Sequence, residues 1–194
     1  MYKSELRKEF KRRRQSLTAT ELSAASQRIA ARFFEEIDLS EVRTLHTFIR
    51  IPKFNEVDTS NIYFRIWQQL RGIATFAPRC DAETGELTSI EFDAETPLVE
   101  NGWNVREPAS GNTAEPEELD IILVPLLCFD LFGHRVGYGK GFYDSFLSRC
   151  RGDSLKVGLS GFPPVEMIRD VSEKDVPLDI CITPARTYRF GPPN

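Results

Sequence analysis

Gly137-Tyr138-Gly139-Lys140-Gly141 sets three glycines at alternate positions, with Arg135 just before them and Lys140 among them. Glycine clears side chains from the backbone and permits positive φ. Successive N–H groups can then turn inward as an anion-binding nest, and the two cations add charge beside it. The flanks suit that task. Leu119 to Pro125 is an unbroken apolar run rich in β-branched residues, which reads as a strand buried on both faces. Phe142 to Cys150 reads as a helix, with Tyr143, Phe146, Leu147 and Cys150 on one face. Its N-terminus points back at the loop, and that end favours negative charge. Strand, basic glycine loop and helix together point to phosphate. The spacing matches neither common phosphate template. GxxxxGK[ST] needs a glycine where His134 stands and a hydroxyl where Gly141 stands, and GxGxxG fails at Phe142. The plain alternative is a glycine-rich turn that only reverses the chain.

The elements around the loop alternate. Residues 2–16 read as a helix, and seven of the first 14 residues are Lys or Arg. Lys3 and Arg7 lie one turn apart on one face. They can reach an anionic ligand, or belong to a solvated surface helix. Thr18 and Glu21 form a capping-box pattern ahead of a helix with Leu22, Ala25, Ile29 and Phe33 on one face. Arg43 to Ile51 reads as a strand, in which His46 is a core or edge residue. A loop over 52–59 leads to a helix capped by Thr59 or Ser60 and ended by Gly72. Glu56 and Asp58 could serve there as capping and dipole-compensating groups. Ile73 to Ala77 is a short buried strand, and Thr84-Gly85 marks a hairpin within 81–92. Arg79, at that strand's carboxyl end, is either a ligand contact or a surface arginine. Further strands are expected at 155–160 and 179–183, and a solvated loop at 109–118. The alternation predicts one α/β domain over 1–194, with a largely parallel sheet and helices on both faces.

Composition narrows the classes. A net charge of −4 and a pI near 5.4 argue against general nucleic-acid affinity. No apolar run nears the roughly 18 residues of a membrane span, and the basic amino end lacks the apolar core of a secretory signal. Cys80, Cys128, Cys150 and Cys181 have no CxxC spacing and read as free thiols in a reducing cytoplasm. His46 and His134 fall in no ligand spacing, so no zinc site is expected.

The run FDLFGHRVGYGKGFYD, residues 129–144, resembles the signature FDxxGxRLGxGxGYYD of 5-formyltetrahydrofolate cyclo-ligases. Val136 replaces the usual Leu. Phe142 replaces a Tyr, which removes a phenolic hydroxyl. Weaker pieces agree in order along the chain. Lys3-Ser4-Glu5-Leu6-Arg7 is similar to KxxLR. Glu56-Val57-Asp58-Thr59 is similar to E[IV]xT, Trp103-Asn104-Val105 with Pro108 to WN[IV]xxP, and the stretch from Asp175 to Asp179 to Dx[PK]xD. The resemblance implies ATP contacts at Lys3, Ser4, Glu5, Leu6 and Arg7, and along the loop at Arg135, Val136, Gly137, Tyr138, Gly139, Lys140, Gly141, Phe142 and Tyr143. It implies folate contacts at Glu56, Trp103, Tyr138, Phe142 and Ile51, with Arg50 as the other choice for the last. Asp144 and Asp175 would hold magnesium, although Asp144 also suits a first-turn helix position. Lys140 and Arg135 would stabilise the transferring phosphoryl charge.

The expected activity is ATP- and magnesium-dependent cyclisation of 5-formyltetrahydrofolate to 5,10-methenyltetrahydrofolate, by a cytoplasmic monomer. The implied scaffold is a three-layer domain like those of sugar-phosphate isomerases and CoA transferases. Two other readings remain at this point. One is a sugar-phosphate isomerase with Asp144 as base; the other is a non-catalytic folate- or nucleotide-binding module.

Overall fold

A computed structural model describes residues 1–81, 83–103 and 105–191. Two helices come first, α1 (Lys3–Gln15) and α2 (Ala19–Glu36), the second opened by the expected Thr18–Glu21 capping box. Then follow β1 (Thr44–His46), α3 (Ser60–Gln69), β2 (Ala74–Cys80), β3 (Leu87–Glu91), β4 (Leu98–Glu100), β5 (Arg106–Pro108) and β6 (Thr113–Ala114). The second half holds β7 (Ile121–Pro125), β8 (Cys128–Phe129), β9 (Arg135–Val136), α4 (Phe142–Leu147), β10 (Leu155–Leu159), β11 (Ile180–Ile182) and β12 (Thr187–Arg189).

Eight strands form one sheet in the order β12-β11-β10-β7-β1-β2-β3-β6. Its centre, β11-β10-β7-β1-β2, is parallel throughout. These are the five strands that the apolar runs predict. The edges β12, β3 and β6 are antiparallel, and the β2–β3 pair is the hairpin expected around Gly85. The sheet is therefore mixed, with a large parallel core.

Alternation along β7 divides the core. Ile121 and Leu123 face α2 and α3, packing with Ile29, Phe33, Ile62 and Ile66. Ile122 and Val124 face the other way, toward Phe146 and Leu147 of α4 and toward Leu178. That second face carries less helix than the alternation predicts. The helix expected over 142–150 stops at Leu147, and irregular chain covers 160–179. Pro163, Pro164 and Pro177 explain the second point, since proline removes a donor and resists helix.

Two other boundaries differ from expectation. β1 ends at His46 rather than near residue 50, because the chain lifts away to bond elsewhere. Thr59 donates its hydroxyl to the Phe48 carbonyl at 2.5 Å, and the Ile51 N–H donates to Glu56 at 2.7 Å. Thr59 is the N-cap of α3 by position, but its hydroxyl is thus engaged. Asp58 does the capping instead, accepting from the Ser60 N–H at 3.0 Å. α3 ends at Gln69, ahead of Gly72. No helix among the described residues is long and apolar enough to cross a membrane. Cys128 and Cys181 are buried, Cys80 and Cys150 half-buried, and all four are free.

Candidate active site

All parallel strands present their carboxyl ends at one edge of the sheet, where open α/β sheets bind ligands. From β7 the chain passes through Leu126 and Leu127 into the β8–β9 hairpin, and β9 runs directly into the glycine loop. Gly139 and Gly141 take positive φ, +94° and +78°, as a left-handed loop requires. Gly137 does not. No backbone N–H from Gly137 to Gly141 donates to an acceptor among the described residues. Gly139, Lys140 and Gly141 are exposed. Lys140 has no hydrogen-bond or ion-pair partner among the described residues. The loop stands at open surface. Two shallow hollows, about 260 and 340 Å³, lie elsewhere, between α2 and α3 and beside β3.

α1 lies against this loop and supplies a basic face at helical spacing, Lys3, Arg7, Lys11 and Arg14. Its apolar stripe, Leu6 and Phe10, packs on Leu127, Cys128, Val136 and Ile168. Arg7 donates to the Gly137 carbonyl at 3.1 Å. Its guanidinium fills the space beside Gly139, where an added Cβ would meet it at 3.1 Å. The Lys3 ammonium sits 2.5 Å from an oxygen of Asp175. Lys11 lies over the Tyr138 ring, 5.6 Å from its centroid. Leu6 and Val136 are fully buried, so only their backbone can face a ligand. Glu5 is exposed and caps its own helix, accepting from the Tyr2 N–H at 2.9 Å. Ser4 is exposed on the first turn.

Arg135 departs from its expected role. It is 8% exposed, bonded to the Val176 carbonyl and 2.7 Å from Asp144. Burial pulls its pKa down, while Asp144 works to keep it charged. It is therefore a buried strut that orients Asp144, not a free cation aimed at a ligand. The reason lies in β9: the strand turns Arg135 inward, and its charge needs a partner there.

Asp144 Oδ1 accepts from Arg135 and from the Val176 N–H, and Asp175 Oδ2 from Lys3 and the Ser172 N–H. Both carboxylates bear on Arg135, and each keeps its second oxygen free of partners among the described residues. Burial works to raise the Asp175 carboxyl, but the Lys3 and Ser172 hydrogen bonds and the Arg135 charge outweigh it and hold it low. Among the described residues no three His, Cys, Asp or Glu groups are placed to cage a metal. Two carboxylates with a free oxygen each still suit magnesium, which usually takes one or two carboxylates with phosphate and water.

Glu56 is 4% exposed. It accepts from the Ile51 N–H and, at 2.9 Å, from the Tyr138 hydroxyl. Burial raises its pKa against these bonds and the Arg14 charge. Arg14 completes the group: 5% exposed, it donates to the Tyr138 hydroxyl at 3.0 Å and to the Leu126 carbonyl. Tyr138 also packs on Phe54, with ring centroids 5.1 Å apart. Sequence reasoning counted Arg14 only as one charge among seven. The available signal was its place at i+4 from Phe10 and i+8 from Leu6, where the buried stripe continues.

At the outer rim Trp103 and Phe142 face each other, with centroids 6.2 Å apart and planes 28° apart. Asn104 lies outside the described residues. Ile51 is half-buried beside Glu56, whereas Arg50 turns to Asp58 at 3.1 Å. Arg79 donates to the Pro108 and Ala109 carbonyls at 2.6 and 3.1 Å, so its guanidinium ties β2 to the chain after β5. Asp179 accepts from the Lys156 N–H at 2.7 Å. Tyr143 is half-buried, with its hydroxyl 3.4 Å from His46. The structure thus brings α1, Glu56, the loop, Asp144 and Asp175 together. It makes Arg135 internal to them.

A family model described as the 5-formyltetrahydrofolate cyclo-ligase family matches residues 1–184. A 5-formyltetrahydrofolate cyclo-ligase of Mus musculus is 28% identical over 152 residues, covering 75% of this chain and 73% of its own. The solved 5,10-methenyltetrahydrofolate synthetase of Aquifex aeolicus superposes with a TM-score of 0.83 at 28% identity, covering 100% of this chain and 95% of that one. The corresponding enzyme of Mycoplasma pneumoniae gives 0.76 at 26% identity, covering 95% and 99%. A loop with unused amides and a free lysine, laid under a basic helix, thus occurs in a chain that belongs to the 5-formyltetrahydrofolate cyclo-ligase family.

Proposed function

We propose that this chain converts 5-formyltetrahydrofolate to 5,10-methenyltetrahydrofolate, with ATP cleaved to ADP and phosphate. The observation that carries the reading is the unengaged amide run from Gly137 to Gly141 with partnerless Lys140 beside it. At an open surface water satisfies such amides, and phosphate oxygens can replace it at several of them together.

The chemistry asks for phosphate binding and charge stabilisation. A formamide oxygen leaves poorly, because amide resonance makes the carbon weakly electrophilic. Phosphorylation of that oxygen by ATP makes it a leaving group. N10 then attacks the carbon, the ring closes and phosphate departs. The chain's part is to orient both substrates and offset phosphoryl charge. Lys140 and the loop amides do this at the transferring group. Lys3 and Arg7 reach the nucleotide from α1, with the backbone of Ser4, Glu5, Leu6 and Val136 alongside. Arg135 acts through Asp144. Glu56, held by Tyr138 and Ile51, offers acceptors to the paired N–H donors of a pterin, and Trp103 and Phe142 line the rim where that ring enters. Magnesium, when held by Asp144 and Asp175, would supply neutralisation between the phosphates.

We read residues 1–194 as one domain, active as a cytoplasmic monomer, on a three-layer scaffold like those of sugar-phosphate isomerases and CoA transferases. The test is to mix purified protein with 5-formyltetrahydrofolate, ATP and magnesium and to follow methenyl absorbance and ADP release together. Both should rise in step. ADP release without a methenyl product, or neither signal, rejects the reading.

A further inference from the structure

Trp103 is 41% exposed in the turn between β4 and β5, yet three separate segments hold it. Its ring faces Phe142, with centroids 6.2 Å apart, and Phe142 opens α4 directly after the glycine loop. Its carbonyl accepts from Lys53 at 3.2 Å, in the single turn Pro52–Phe54 between Ile51 and Glu56. Trp103 therefore reaches from the glycine-loop side of the site to the segment that carries Glu56.

The third hold comes from within the hairpin. Asn101 Oδ1 accepts from the Trp103 N–H at 2.9 Å and from the Val105 N–H at 3.1 Å. Its Nδ2 donates to Glu107 Oε1 at 2.9 Å. Turning the amide over would set its N–H groups against two donors and its oxygen against a carboxylate. Asn101 thus has one workable orientation, and Glu107 fixes it. Glu107 is 6% exposed, and the same oxygen accepts from the Cys80 N–H at 2.9 Å, at the end of β2. The turn is tied through these two side chains to the main sheet. β4 is exposed at all three positions, so packing on that strand adds little and the polar link sets where the turn stands.

We propose that Asn101 and Glu107 are positioning residues for the folate subsite, which hold Trp103 in place before the substrate's flat ring arrives. A turn already ordered need not be ordered on binding, so the pair raises affinity and leaves the chemical step alone. This rests on the cyclo-ligase reading for its ligand, but not for the order of the turn. Among the described residues neither side chain bonds to α1 or to the glycine loop. The nucleotide's half of the site is therefore independent of them.

The chain has two tryptophans, so fluorotryptophan labelling gives two ¹⁹F signals, and Trp103→Phe assigns them. Asn101→Ala should move the Trp103 signal toward its position in the urea-unfolded chain and leave the Trp67 signal in place. An unmoved Trp103 signal overturns the proposal whether or not the enzyme turns over. Kinetics test the consequence. Asn101→Ala and Glu107→Leu should each raise the KM for 5-formyltetrahydrofolate roughly tenfold, the scale of ordering one large side chain on binding. The kcat and the KM for ATP should change little. An unchanged folate KM, or an equal rise in the KM for ATP, overturns the proposal. Glu107→Gln offers the same oxygen to both donors and should stay close to wild type. A loss as large as that of Glu107→Leu would mean that the charge matters and not the bond, and would overturn the assignment. On a Trp103→Ala background neither Asn101→Ala nor Glu107→Leu should raise the folate KM further, and losses that multiply there overturn the proposal. If Glu107→Leu unfolds, Asn101→Ala alone decides the cycle. Absence of turnover in the wild type defeats the cyclo-ligase reading instead, and the ¹⁹F signal still decides what holds Trp103.

Discussion

Lys3, on the first turn of α1, places its ammonium 2.5 Å from an oxygen of Asp175, 172 residues further along the chain. That contact pins the amino-terminal helix to the segment before β11 and occupies one of the two proposed magnesium carboxylates. An ammonium on one oxygen of that carboxylate weakens the other oxygen's hold on a divalent cation, because the two positive charges repel. Lys3→Met should therefore tighten binding of Mn²⁺ in the absence of nucleotide, by roughly tenfold for the loss of about 1.4 kcal/mol of repulsion. Calorimetry or manganese EPR reads this without turnover. Equal affinity in both proteins would remove Asp175 from the cation site.

Lys140 is the cation at the loop with no structural duty. It is exposed and unpartnered among the described residues. Lys140→Ala should lower kcat about 10² to 10³-fold, the usual loss for one donor to a developing anion. Stability should stay within about 0.5 kcal/mol of wild type, as for surface changes generally. Urea titration and the methenyl assay on one preparation separate the two effects. Near-normal turnover would take the phosphoryl-stabilising role away from this residue. Arg135→Ala should behave differently. It uncovers Asp144 and the Val176 carbonyl inside the protein, so stability falls along with activity.

Arg14 is the buried cation that the sequence hides best. It bonds the Leu126 carbonyl and the Tyr138 hydroxyl, and its charge offsets that of buried Glu56. Arg14→Met keeps the packing and strands that carboxylate. The expected cost is about 3 kcal/mol, the low end for breaking a buried charge pair. Tyr138→Phe removes two hydrogen bonds, the one donated to Glu56 and the one accepted from Arg14, and should cost about 2 kcal/mol. Urea midpoints at unchanged slope measure both. In the double variant with Glu56→Gln, the Arg14→Met loss should shrink, because no stranded charge remains. A loss of the same size would mean that Arg14 acts through Leu126 alone.

The legible and illegible parts of the chain divide by the range of the interactions that define them. The five parallel strands are readable because buried strands are continuous apolar runs, as Ile121 to Val124 are. The edge strands β6 and β12 have two and three residues, too few to carry a period. The glycine loop is visible because its chemistry is in the backbone, and glycine marks backbone that must turn. Side-chain commitments across long separations leave no such mark. Arg135 reads as a free cation until Asp144 and Val176 are found beside it. Tyr138 reads as a ligand contact, and its bond to Glu56, 82 residues away, depends wholly on the fold. The resemblance gave the order of the motifs. Only the fold gave the partners.

His46 also makes an acid-stability prediction that needs no substrate. An unfolded histidine titrates near 6.5, whereas burial lowers the folded value to about 3. Between these values the unfolded chain binds a proton that the folded chain refuses. The unfolded state therefore gains as pH falls, and stability declines through that window. Above about pH 6.5 the penalty is absent. The limiting slope for one proton is about 1.4 kcal/mol per pH unit. In His46→Leu this contribution vanishes, while every other carboxylate and histidine remains in both proteins and cancels in the difference. The gap in unfolding free energy between variant and wild type should shift by about 2 kcal/mol in the variant's favour from pH 6.5 to pH 4.5. The variant's lower starting stability, from the Ser89 hydroxyl left without its bond to His46, does not affect that slope. A pH-independent gap would mean that His46 takes up its proton in the folded protein, and so that water reaches the ring between β1 and α4.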